Sequence, residues 1–239
     1  MLAATGRWTD RKMHTIMESR RRGTQLLSRA LASVTAPPGV LVSASGVGYY
    51  GDCGDREIPD GSPKGTGFLA EVSDVWEKEC RPAVDGGIRV VNTRFGVVLS
   101  RNGGALQKLL PPILFGVGGP IGPGTQYMSY ISLADAVRVI EHCIVRPISG
   151  PVNACAPQGA TNSQLVKAIG SNVMRPTLFP LPSAVVKAVF GQMGEETLLV
   201  SQRAVPNKLL DSGFRFRHPD IKSAVGSALS SDGGWGDAL

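Results

Sequence analysis

The sequence predicts an α/β fold with a doubly wound parallel sheet, and three observations carry that prediction. Short apolar runs alternate along the chain with longer amphipathic stretches, the strand–helix order that builds a sheet covered by helices. The first clear run, Gly39-Val40-Leu41-Val42-Ser43, is continuous in its apolar residues, as in a strand buried on both faces. Thirty glycines and seventeen prolines follow no period and punctuate the turns between these segments. Sheets of this class bind ligands at the carboxyl ends of their strands, which directs attention to the loops after Val42 and Arg94.

Taken in order, residues 8–33 read as a helix, with Ile16, Leu26, Leu27, Ala30 and Leu31 as its apolar stripe. Pro37-Pro38 stops it, and the strand 39–43 leads into the small-residue turn Ala44 to Gly51, which carries the adjacent pair Tyr49-Tyr50. About fifteen residues of charged loop precede a second helix over 67–80, with Phe68, Leu69, Val72, Val75 and Trp76 on one side. Residues 88–99 read as one strand running into a loop, and 105–114 as a short helix. The glycine- and proline-rich run 116–124 is a loop. Ser132 is the expected N-cap of the next helix, with Asp135 three residues on. A strand over 151–154 and a helix over 161–171 follow. After Pro182 the pattern changes to three short helical stretches and then a frayed tail.

Composition excludes several function classes. Hydrophobic residues make up 42% and charged residues 18%, too apolar for disorder. The net charge of +6 draws on Arg20-Arg21-Arg22 and on Arg215, Arg217 and Lys222. No aromatic interleaving or recognition-helix pattern accompanies it, so no nucleic-acid partner is expected. Cys53, Cys80, Cys143 and Cys155 form no C-x-x-C pair, and with three histidines no metal centre is expected. No stretch is long and apolar enough for a membrane span, and no secretory signal pattern opens the chain.

Blocks of residues then point to a family. Ser43-Ala44-Ser45-Gly46-Val47-Gly48-Tyr49-Tyr50-Gly51-Asp52 is followed in order by Phe68-Leu69-Ala70-Glu71 with Trp76-Glu77 and by Arg94-Phe95-Gly96-Val97-Val98-Leu99. Further blocks are Gly103-Gly104-Ala105-Leu106, Gly118-Gly119-Pro120-Ile121-Gly122, Gly150-Pro151-Val152-Asn153, and Gln202-Arg203-Ala204-Val205-Pro206 with Leu209 to Phe214. Across nearly the whole chain this resembles the atypical, epimerase-like branch of the extended short-chain dehydrogenase/reductase superfamily. The resemblance implies a partial Rossmann-like NAD(P)-binding domain over 1–182, a helical domain of unknown function over 183–232 and a tail over 233–239. It implies NADP as cofactor and an unidentified small-molecule substrate. The compartment stays open: cytoplasm, or plastid or mitochondrion behind a transit peptide.

The sequence departs from that pattern twice. No G-x-x-G-x-x-G phosphate loop precedes Trp8, so the sheet is expected to lack its first βαβ units through truncation, leaving an uncovered edge. The superfamily's Tyr-x-x-x-Lys is replaced by Phe68 and Val72, which cannot form a proton-donating pair. By position, the resemblance makes Ser45 a candidate for orienting the reacting oxygen and Tyr49 or Tyr50 a candidate substitute phenol. It places Arg20, Ser43, Arg94 and Val98 toward the cofactor. Each has a plainer reading: a strand-end serine, packed rings, a solvated arginine, a core valine. Arg94, ending a buried strand, calls for a carboxylate or ligand partner. Two functions remain: an NAD(P)-dependent epimerase or oxidoreductase-like enzyme, or a non-catalytic binding or regulatory protein on the same fold, for which some plastid relatives linked to organelle division are a precedent.

Overall fold

The computed structural model describes residues 6–230. The chain opens with helix α1 (Asp10–Ser33), capped where the Thr9 hydroxyl accepts from the Lys12 amide. Its buried positions are Ile16 and Ser28, and Leu31 packs against the next layer. Leu26 and Leu27 depart from the expected stripe: they are 73% and 50% exposed, because the helix turns its other side toward α2 and α3.

Strand β1 (Val40–Gly46) follows, then a 3-10 turn (Val47–Tyr50) and the short strand β2 (Glu57–Ile58). Helices α2 (Phe68–Lys78) and α3 (Arg81–Asp85) lead to β3 (Arg89–Phe95). β1 pairs with β3 in parallel, Val40 opposite Arg89 through Gly46 opposite Phe95. The expected strand 88–99 breaks at Gly96. A Cβ there would lie 2.7 Å from the Ser129 carbonyl carbon, so the backbones of 96 and 129 can approach only because residue 96 is glycine. Beyond the break, β4 (Val97–Leu99) leaves the main sheet and pairs with β6 (Tyr130–Ser132).

The remaining elements in order are α4 (Gly104–Leu114), β5 (Tyr127–Met128), α5 (Leu133–Val145), β7 (Gly150–Ala154), β8 (Ala160–Thr161) and α6 (Asn162–Asn172). α5 begins at the expected Ser132 cap, and α6 opens on a full capping box of Thr161 and Gln164. β7 pairs in parallel with β3, giving the order β1-β3-β7. Ile88, Val90 and Leu41 face α1 and α3, while Val91, Val152, Val40 and Val42 face α5. Helices therefore cover both faces, the doubly wound arrangement the sequence predicted. Arg89 fixes the end of α5 by donating to the carbonyls of Cys143, Ile144 and Ile148.

After Pro182 the described residues form four helical segments rather than three: α7 (Ser183–Phe190), α8 (Gln192–Gly194) running into a π turn (Glu195–Leu199), α9 (Asn207–Asp211) and α10 (Ile221–Leu229). The glycines at 191 and 194 read as a break, yet Gly194 is helical because only a missing Cβ lets Val186 and Phe190 pack against it. β9 (Arg203–Ala204) pairs with β2. α10 packs on α6, with Ala224, Val225 and Ala228 in the same core as Leu165 and Ile169. The expected tail over 233–239 lies outside the described residues.

Candidate active site

The carboxyl ends of β1 and β3 meet in a buried polar network. Arg94 is the penultimate residue of β3, and its guanidinium makes two parallel bonds to Glu77 of α2, Nε to Oε1 at 2.8 Å and Nη2 to Oε2 at 2.7 Å. Both side chains are nearly buried, 4% and 12% exposed, so each charge depends on the other. Burial works against the Arg94 charge, but the hydrogen bonds and charge interactions of Glu77 and Tyr50 together outweigh it and raise the guanidinium above its usual range. Ser45, opposite Arg94 in the β1–β3 register, donates its hydroxyl to Glu77 Oε1 at 2.7 Å. The sequence called for a carboxylate or a ligand as the partner of Arg94, and the structure supplies the carboxylate of Glu77, which comes within reach when α2 is laid across the strands.

The two tyrosines differ. Tyr50 donates its phenol to Asn153 Oδ1 at 2.7 Å and accepts from Arg94 Nη1 at 3.0 Å. Burial pushes that phenol up to about 12, with Arg94 pulling the other way. Tyr49 lies flat under the guanidinium, the Arg94 Cζ 3.5 Å from its ring centre, and its phenol makes no hydrogen bond among the described residues. Arg20, Ser43 and Val98 stand apart from this network. Arg20 donates to Ser19 and lies 5.6 Å over Trp76. The Ser43 carbonyl accepts from Thr93, and Val98 pairs with Ile131 and packs in the core on the α5 side.

The network continues into the C-terminal segment. The buried Asp60 carboxylate accepts from the backbone amides of Asn153 at 2.5 Å and Lys208 at 3.1 Å. The Asn153 amide group donates to the carbonyls of Ile58 and Val205. Asp60, Asn153 and Glu196 were not singled out by sequence reasoning; Asn153 stood within a matched block, but nothing local marked Asp60 or Glu196.

Next to the network an open cleft of about 340 Å³ lies between the turn after β1, the start of α2 and the C-terminal segment. Gly48, Gly51 and Leu69 form one wall, and Glu195, Glu196 and Leu199 the other. Ser45, Tyr49, Tyr50 and Arg94 are not among its lining residues. Elsewhere, Ser132, Asp135 and His218 come together, although their sequence spacing gave no hint of it. Both the Ser132 hydroxyl (3.0 Å) and Asp135 (3.7 Å) face the same histidine nitrogen, Nδ1, whereas a relay needs one on each nitrogen. Asp135 also accepts the amides of Arg217 and His218, so the cluster anchors the chain before α10.

Comparison with known proteins bears on this arrangement. Residues 181–228 match a domain of unknown function, DUF1731. An epimerase family protein of Mycobacterium bovis is 43% identical over 231 residues, covering 96% of this chain and 76% of that protein. The crystal structure of human epimerase family protein SDR39U1 (isoform 2) with NADPH superposes with a TM-score of 0.87 at 34% identity, over 92% of this chain and 75% of that one. A Thermotoga maritima UDP-glucose 4-epimerase, solved with UDP-glucose, shares the fold alone: 14% identity and a TM-score of 0.69 over 90% of this chain and 71% of that one. At 43% identity over 96% of its length, with a superposition over 92% of the chain at a TM-score of 0.87, the chain belongs to the epimerase family, an atypical branch of the extended short-chain dehydrogenases/reductases.

Proposed function

We propose that this protein is an NADP(H)-linked, epimerase-like oxidoreductase whose small-molecule substrate enters the cleft between the turn after β1 and the C-terminal segment. The observation that carries this reading is the position of the cleft. It opens at the carboxyl end of β1, where open α/β sheets bind their ligands. NADPH in the human relative supports the choice of cofactor.

The described residues do not supply a seat for the dinucleotide pyrophosphate. That seat needs a strand, a glycine turn and a helix N-terminus with free amides. The N-termini of α5 and α6 are capped by Ser132 and Thr161, and that of α2 is capped by Glu196. α4 opens on Gly103-Gly104 without a side-chain cap, but it follows β4, outside the three-stranded sheet.

What the chain's own residues offer is a division of labour. Tyr50 is a poor proton donor, since burial raises its phenol and both its hydrogen-bonding roles are filled. Ser45 has its proton committed to Glu77 and can only accept from a substrate. Tyr49, stacked on the Arg94 guanidinium and without a hydrogen-bond partner for its phenol among the described residues, is the candidate phenol for the role left open by Phe68 and Val72, although it does not itself line the cleft. Titration calorimetry with NADPH tests the reading: heat competed by NADP⁺ is expected, weak because the described residues offer no pyrophosphate seat, and no binding at millimolar cofactor would overturn it.

A further inference from the structure

The cleft is electrostatically unsuited to a phosphate-bearing substrate. Its lining holds three carboxylates, Asp52, Glu195 and Glu196, against one ammonium, Lys187. Lys187 is 58% exposed and already paired with Glu195 at 3.2 Å. The start of α2 would be the natural place for a phosphate, because its first amides and the helix dipole favour an anion. That place is filled from within. The Glu196 carboxylate takes the Phe68 amide on Oε1 at 3.0 Å and the Leu69 amide on Oε2 at 2.9 Å, and Gln192 donates to it at 2.8 Å. Gly67, at φ +108°, has no Cβ, and one placed there would lie 3.0 Å from the same carboxylate. The π turn that carries Glu196 is itself a departure from regular helix, of the kind found at functional positions.

We infer that Glu196 is a specificity-determining residue: it occupies the anion seat at the start of α2, and the cleft selects a compact, hydroxyl- or amine-bearing substrate without phosphate or diphosphate. The inference rests on the cleft being the substrate site. It separates this chain by chemistry from the UDP-sugar enzyme with which it shares a fold, because a diphosphate carries at least two negative charges and would meet a cleft of net charge −2 (one ammonium less three carboxylates). A diphosphate would also find no unpaired cation among the lining side chains, since Lys187 is held by Glu195.

The test follows the amide NMR signals of Gly48, Gly51, Phe68 and Leu69 in the whole chain while UDP-glucose, inorganic phosphate and 2-aminoethanol are added separately. For the natural sequence, 2-aminoethanol is expected to shift these signals and the two phosphates to leave them still. In Glu196→Ala the freed Phe68 and Leu69 amides should gain affinity for inorganic phosphate by roughly tenfold or more, the size of a charge-assisted hydrogen-bond pair. If that variant fails to fold, Glu196→Gln removes the charge while keeping the shape and should show a smaller gain. Saturable UDP-glucose binding at these amides in the natural sequence would overturn the inference. So would silence toward 2-aminoethanol, or a folded variant as blind to phosphate as the parent. NADPH calorimetry on the same samples separates the two ideas: loss of NADPH binding with the ligand preference intact defeats the functional reading alone.

Discussion

The two outer edges of the three-stranded sheet are finished in opposite ways. β7 is backed by α9 and tied through Asn153 and Asp60 to β2, Val205 and Lys208. β1 pairs only with β3 among the described residues, and its Ala44 is exposed. On the β7 side, buried polar atoms are matched one for one across segments far apart in sequence. On the β1 side no described strand pairs with the outward edge, a state proteins ordinarily cover or protect. Rigidity is therefore concentrated at β3 and β7 and in the C-terminal segment, and the cleft lies against that segment.

Breaking the Arg94–Glu77 pair should have the largest effect. Arg94→Met leaves Glu77 buried without its cation, and a loss of about 3–5 kcal/mol in urea unfolding is expected; a loss under about 1 kcal/mol would mean the network does not hold the strand ends together. Alkaline pH should act next. The folded-state phenol of Tyr50 lies at about 12 against an ordinary value of 10.0, so its contribution is fully present below pH 10 and is lost as pH rises through about 12. Two units correspond to about 3 kcal/mol, and Tyr50→Phe should flatten that part of the stability–pH curve. Asp60→Asn weakens the acceptor for two backbone amides and should cost about 1–3 kcal/mol, concentrated at α9. Hydrogen exchange would show it as faster opening of Lys208 while β1 is unchanged; equal acceleration at β1 would erase the contrast between the edges.

Much of the fold was legible in the sequence because it rests on local signals. The apolar run at 40–42, the cap at Ser132 and the stop at Pro37-Pro38 each act within a few residues. The misreadings share a cause. Leu26 and Leu27 have the composition of a core face, but which side of α1 is covered depends on where α2 and α3 pack. The break at Gly96 depends on the backbone of Ser129, more than thirty residues on. The candidate site divides along the same line. Ser45, Tyr50 and Arg94 stood out by type and position and do meet in one network. Glu196 did not stand out, because its meaning comes from α2, 127 residues away in the chain.

The account stands on ligand binding at the carboxyl end of β1, against the C-terminal segment. Amide hydrogen exchange of the whole chain, with and without saturating 2-aminoethanol, tests this most directly. The account predicts added protection at Gly46, Gly48 and Gly51 and at the start of α2, with the amino-terminal ends of β1 and β3 unchanged. Protection confined to the opposite end of the sheet, or none at saturating 2-aminoethanol, would contradict it.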